Sequence, residues 1–135
     1  MILVDTSVWI EYLQRRSPRD FSVLDSLIRD KQVATCWPIR AELLSGYFSS
    51  SKRNEAEWAL AAMIPIDPAW NSSDVWKGVI DLAAFCHRRG IRIPGLVDRM
   101  ILVAVQKSSA TLWTFDQALR QLASLLEIST FLEEK

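Results

Sequence analysis

At 135 residues the chain has the length of one domain with a single core, and half of it is apolar, six Trp included, which excludes a disordered polypeptide. Sixteen basic residues balance sixteen acidic ones, so no basic excess advertises a nucleic-acid partner. The longest uncharged apolar stretch, around Met100 to Val105, is far too short to span a bilayer.

The chain opens MILVDTSVWIEYL. Met1 to Val4 reads as a buried strand of a parallel sheet, ending on Asp5 with the hydroxyls of Thr6 and Ser7 directly behind it. A helix from Val8 to Leu13 follows. Phe21, Leu24, Leu27 and Ile28 recur at helical spacing and predict a second helix from about Asp20 to Arg29. Gln32 to Cys36 reads as a second strand, and Pro38 suits the first turn of a third helix running through Glu42 to Gly46. Ser49-Ser50-Ser51 reads as a loop and Lys52 to Met63 as a helix. Ile64 to Pro68 is a short extended piece that its prolines confine to an edge or a connection. Asn71, Ser72 and Ser73 offer caps for a long helix from about Ser73 to Arg89, which Gly90 stops. Beyond the Pro94-Gly95 turn come a helix from Val97 to Lys107, a strand from Ala110 to Phe115, a helix from Asp116 to Ala123 and a last short strand, Leu126 to Thr130. Strands alternating with helices predict an α/β domain around a parallel sheet.

Two cysteines, Cys36 and Cys86, make no disulfide framework, and the N-terminus shows neither a basic leader nor a small-residue cleavage site. A reduced, cytoplasmic setting with no membrane partner is therefore expected. Arg outnumbers Lys eleven to five, with clusters at Arg15, Arg16 and Arg19 and at Arg88, Arg89 and Arg92. Such clusters suit either phosphate contact or solvated helix ends.

The carboxylates fall at telling places. Asp5 ends the first strand and Asp116 ends the strand from Ala110, with Thr114 two residues before it. Glu42 lies one turn into the helix after the second strand. In a parallel sheet these strand ends share one edge, and Asp98 joins them if its helix starts there too. Four crowded carboxylates raise one another's pKa values, a penalty that a divalent cation removes. An all-oxygen donor set without His or Cys indicates Mg²⁺ or Mn²⁺. The competing reading makes Asp5, Asp98 and Asp116 helix caps or dipole partners. Glu42, flanked by Ile39, Leu43 and Leu44, calls for a partner, a metal or an Arg, if it borders the apolar face.

Taken together, LVDTSVWIEYL, IRAELLSG, LVDRMILVAV and LWTFDQAL resemble the PIN-domain ribonucleases, and most of all the VapC-type toxins of toxin–antitoxin pairs. The similarity runs in order through essentially the whole chain, with VDTSVW its most specific part. It implies a single PIN-like domain over residues 1–135, an α/β three-layer sandwich whose central, mainly parallel sheet of about five strands is flanked by helices. It also implies a Mg²⁺- or Mn²⁺-dependent endoribonuclease that leaves 5′-phosphate and 3′-hydroxyl ends and is inhibited by a cognate antitoxin. By motif position Asp5, Glu42, Asp98 and Asp116 would form the catalytic quartet. Asp5, Asp98 and Asp116 would hold the metal, with Glu42 a further ligand or a bridge to water. Thr6, Ser7 and Thr114 match hydroxyl positions that would orient ligands or water. The expected partners are an RNA substrate, an antitoxin and a second copy of the chain.

Two positions depart from the family pattern. Arg99 follows Asp98 where a small residue is common, and it either contacts the scissile phosphate or lies outward on its helix. Phe115 stands where a basic residue often precedes the last Asp.

Other chemistries fall away. Four glycines form no phosphate loop, and position 7 is Ser where a haloacid-dehalogenase phosphatase needs a second Asp. The sole histidine, His87, with Cys86 makes no zinc site. The tryptophans can stack on RNA bases or fill core and interface. Trp9 and Tyr12, with Phe21, Leu24 and Ile28, either form a groove for an antitoxin helix or pack on the sheet. The competing functions are a catalytically silent PIN-like module that binds RNA or protein, and a structural domain whose acids are all caps.

Overall fold

A computed structural model describes residues 1–14, 18–46 and 50–132. Arg15, Arg16 and Ser49 lie outside the described residues. Strand β1 (Ile2–Val4) leads through helices α1 (Thr6–Gln14) and α2 (Ser22–Arg29) to β2 (Val33–Thr35). Helices α3 (Trp37–Ser45) and α4 (Ser50–Ala61) then connect to β3 (Ile64–Pro65). Next come α5 (Ser73–Arg88), α6 (Leu96–Ser108), β4 (Thr111–Trp113) and α7 (Gln117–Leu125).

All strand pairings are parallel, in the order β3-β2-β1-β4, and seven helices among the described residues flank the sheet. β1 is central, which is why its run is wholly apolar: Leu3 and Val4 are fully buried, with Leu3 in register with Ala34 on one side and Leu112 on the other. β3 lies at the edge, where Pro65 removes no ladder bond that the sheet needs. The expected fifth strand is reduced to one parallel bridge between Leu112 and Thr130. Leu112 N–H donates to Ser129 O at 2.9 Å and Phe131 N–H to Leu112 O at 2.8 Å. Glu127, at a φ of 61°, turns the chain just before it, which leaves too short an extended run for a full strand.

Several helix boundaries follow their signals. Pro38 occupies the first turn of α3, and Ser72 caps α5 by accepting from Asp74 N–H at 3.3 Å. Gly90, at a φ of 65°, ends α5: Gly90 N–H donates to His87 O and Ile91 N–H to Cys86 O, the paired bonds of a Schellman stop. Others shift. α1 starts at Thr6 rather than Val8, because Asp5 O accepts from both Val8 N–H and Trp9 N–H. Ser50 and Ser51 are not loop but the first turn of α4.

α6 is the pivot of the fold. Five consecutive residues, Ile101 to Val105, are buried, as expected of a helix enclosed on several sides, and it packs against α5 and α3. Its first turn, which carries Asp98, is therefore held by the core. Of the two readings left open for α1 and α2, Trp9 and Leu24 take the core one, being fully buried, while Tyr12, Phe21 and Ile28 are half-buried against it. Trp9 meets Tyr12 edge-on at 5.7 Å, and Tyr12 meets Phe21 at 5.5 Å. Cys36 and Cys86 are buried free thiols, and burial pushes Cys36 up to about pKa 12, which makes it inert.

Candidate active site

From β1 the chain moves outward to β2 and β3, then returns across the sheet to place β4 on the far side of β1. That reversal makes the carboxyl ends of β1 and β4 the topological switch point, where open parallel sheets bind their ligands. Asp5 follows β1 there, and Thr114 and Asp116 follow β4.

Asp5 is 5% exposed. Its backbone does the local structural work: Asp5 N–H extends the ladder to Trp113 O at 2.9 Å and its carbonyl starts α1. Its side chain turns elsewhere. Oδ2 accepts from Thr114 Oγ1 at 2.7 Å and from Ser7 Oγ at 2.9 Å. Each hydroxyl is itself fixed by a backbone donor, Asp116 N–H on Thr114 Oγ1 at 3.1 Å and Phe115 N–H on Ser7 Oγ at 3.1 Å. Both hydroxyl protons are thereby directed at one carboxylate oxygen. Ser7 and Thr114 both bond to Asp5. Thr6 does not: its Oγ1 is buried and has no hydrogen-bond partner in the protein.

Asp98 stands in the first turn of α6, whose N-cap is Gly95, and no side-chain hydrogen bond caps that end. Its carboxyl is pushed up to about pKa 6, first by burial and then by repulsion from Asp5, Glu42 and Asp116. Three carboxylates from three other parts of the chain thus act on the fourth. Asp116 has two parts to play. Its Oδ1 caps α7 by accepting from Leu119 N–H at 3.1 Å, as the competing reading foresaw, and its charge still reaches Asp98. Glu42 corrects an expectation: it is exposed, so it needs no buried partner.

The donors are all oxygens, which suits a hard divalent cation. Among the described residues no group of three or more His, Cys, Asp or Glu side chains is already gathered into a ligand set. The carboxylates are within electrostatic reach and remain apart, as like charges do.

The two departures now have structural accounts. Arg99 points away from phosphate chemistry: Nε donates to Pro94 O and Nη1 to Val79 O, both at 3.1 Å, which clamps α6 to α5 and to the preceding turn. Beside Phe115, Arg19 brings a cation from another segment, its guanidinium carbon 4.0 Å from the ring centroid, and Arg19 also pairs with Glu11 at 2.9 Å. Arg120 Nη2 donates to Thr114 O at 2.7 Å. None of these three roles had a signal in local spacing.

Sequence reasoning also missed Asp67. Its Oδ1 accepts from Trp37 N–H and from Trp70 Nε1, both at 2.7 Å, and so ties the start of α3 to the turn before α5. Its position between Pro65 and Pro68 marked an irregular segment, but gave no hint of its partners.

The PIN domain family model matches residues 2–125. Among solved structures, that of FitAB bound to an IR36 DNA fragment has 23% identity, covers 99% of each chain and superposes with a TM-score of 0.72. FitAcB from Neisseria gonorrhoeae has 23% identity over 98% of this chain and 97% of the other, with a TM-score of 0.69. VapBC2 from Rickettsia felis, bound to a DNA fragment from its promoter, has 19% identity over 90% and 92%, with a TM-score of 0.65. No curated protein sequence matches the chain.

Proposed function

The chain belongs to the PIN domain family, and from that premise we propose that it is a divalent-metal-dependent endoribonuclease, the toxin of a toxin–antitoxin pair, acting as a homodimer. The observation that carries this reading is Asp98, whose carboxyl is raised to about pKa 6 by burial and by the three other acids. A half-buried acid repelled by three others lowers the stability of the metal-free fold, and a bound cation offsets that loss. Helix caps alone would need no such convergence.

Asp5, Asp98 and Asp116 would hold Mg²⁺ or Mn²⁺, with Glu42 as a further ligand or a bridge to water. When bound, the ion supplies polarisation of the phosphodiester and a water acidic enough to attack near neutral pH. The chain's own residues supply the arrangement. Ser7 and Thr114 hold one oxygen of Asp5 with two donated bonds, which restricts its rotation. Asp116 is anchored by its cap to α7. Arg99 anchors the turn from which Asp98 projects. The antitoxin partner is inferred from the likeness to the solved VapBC and FitAB assemblies.

The test is incubation of the purified chain with total cellular RNA and Mg²⁺ or Mn²⁺, with chelator and Asp98→Asn as controls. Discrete cuts bearing 5′-phosphate ends, absent from both controls, are expected. Folded, metal-loaded protein that leaves RNA intact overturns the reading.

A further inference from the structure

Next to the carboxylates lies a cleft of about 500 Å³ whose walls are almost wholly apolar. Trp37 from the start of α3, Trp70 and Trp76 from either side of the α5 N-terminus, and Val97 and Met100 of α6 line it, with Glu42 at its margin. Two facts separate it from ordinary core. Trp37 is 59% exposed and Trp76 36%, so large aromatic surfaces are left facing solvent in one concavity. The aromatic groups are also held in place. Trp70 Nε1 donates to Asp67, which also takes the Trp37 backbone N–H, and Trp76 Nε1 donates to Trp70 O at 2.7 Å. The Trp70 and Trp76 rings lie 6.0 Å apart and tilted by 51°. Two of the three indole N–H groups are therefore engaged within the protein, which leaves chiefly ring faces for an occupant.

No Lys, Arg or His lines the cleft itself; Arg40 stacks on Trp37 with its guanidinium carbon 5.2 Å from the ring centroid, so one face of that indole already carries a cation and the remaining apolar faces suit a neutral, flat group. Its location narrows the choice. Glu42 belongs both to the cleft and to the carboxylate cluster, and Val97 immediately precedes Asp98. An occupant of the cleft is thus covalently within reach of a phosphodiester at the acids. We infer that the cleft is a nucleobase subsite, in which an unpaired base of the RNA substrate stacks on the indoles while its neighbouring phosphodiester lies at the carboxylates. This inference rests on the ribonuclease reading. Single-stranded RNA recognition commonly works in this way, with aromatic faces supplying affinity and little base discrimination. Purines, with the larger faces, bind ahead of pyrimidines.

The test is a tryptophan-fluorescence titration with a single-stranded RNA 12-mer and with an abasic oligomer of the same length, both in Ca²⁺, alongside steady-state cleavage in Mn²⁺. The base-bearing oligomer is expected to quench fluorescence and to bind about tenfold more tightly than the abasic one. Trp37→Ala and Trp76→Ala should each remove most of that difference and raise KM, while Trp37→Phe and Trp76→Phe restore it. Equal binding of the two oligomers overturns the subsite, as does unchanged KM in the folded Ala variants. Loss of self-association in Trp76→Ala with RNA affinity retained also overturns it, by making the cleft an interface between copies. Failure of the wild-type chain to cut any RNA is a separate outcome: it removes the ribonuclease reading and the subsite with it.

Discussion

Thr114 Oγ1 donates a 2.7 Å hydrogen bond to Asp5 Oδ2 across 109 residues of sequence, joining the carboxyl ends of β1 and β4 at the point where the sheet reverses its strand order. Both residues are buried, and Ser7 adds a second donor to the same oxygen. A buried carboxylate with two hydroxyl donors on one oxygen is held in one orientation, as a metal ligand requires.

Thr114→Val keeps the shape and removes the donor. The expected result is a loss of about 2 kcal/mol in stability from a charge-assisted buried bond, and a loss of about tenfold or more in metal affinity or cleavage. Thr114→Ser should restore most of both. Chemical denaturation and metal titration of the three proteins check this, and an unchanged Thr114→Val variant would refute the positioning role.

The raised Asp98 carboxyl makes metal-free stability depend on pH. Its ordinary value is 3.8 and its folded value about 6, so between these values the folded state binds more protons than the unfolded chain. Unfolding free energy therefore falls as pH rises through this window: the contribution is fully present below pH 3.8 and lost above pH 6. In chelator, Asp98→Asn should flatten this part of the profile and melt higher than wild type at pH 7.5. Melting curves of both proteins from pH 4 to pH 8 decide it.

Divalent metal should reverse that slope. Mn²⁺ is expected to raise the melting temperature at pH 7.5 and much less at pH 5, where Asp98 holds its proton; at one hundred times its Kd a ligand adds about 2.7 kcal/mol. Asp5→Asn and Asp98→Asn should each abolish most of the shift. Equal stabilisation of wild type and both variants would place the metal elsewhere.

Arg99→Leu removes both donors that clamp α6 to Pro94 and Val79. A cost of about 2 kcal/mol is expected, with weaker metal binding because Asp98 projects from the loosened turn. If Arg99 touched phosphate instead, KM would rise while the melting temperature stayed constant. The two readouts separate the roles.

Trp9 and Trp58 form a contrasting pair. Trp9 is fully buried and Trp58 is 83% exposed. Trp9→Ala should cost about 3–5 kcal/mol, and Trp58→Ala should leave stability within about 0.5 kcal/mol. Urea melts of the two variants test the assignment of Trp9 to the core rather than to a partner groove.

What the sequence determined by itself was local and periodic. The apolar run before Asp5 specified a central strand, Pro38 and Gly90 placed a helix start and a helix stop, and the alternation of strands and helices specified a parallel α/β sheet. The motif order carried the family resemblance, because the acids follow strand ends and strand ends in a parallel sheet share an edge. Only the tertiary structure decided which side chains meet. That Ser7 and Thr114 hold Asp5 while Thr6 does not depends on the register between β1 and β4. That Arg99 serves the backbone, that Trp9 is core and that Asp67 orders an aromatic cleft depend on contacts between segments far apart in the chain. Periodicity reports which face of an element is apolar; it carries no information about which distant donor will find which acceptor.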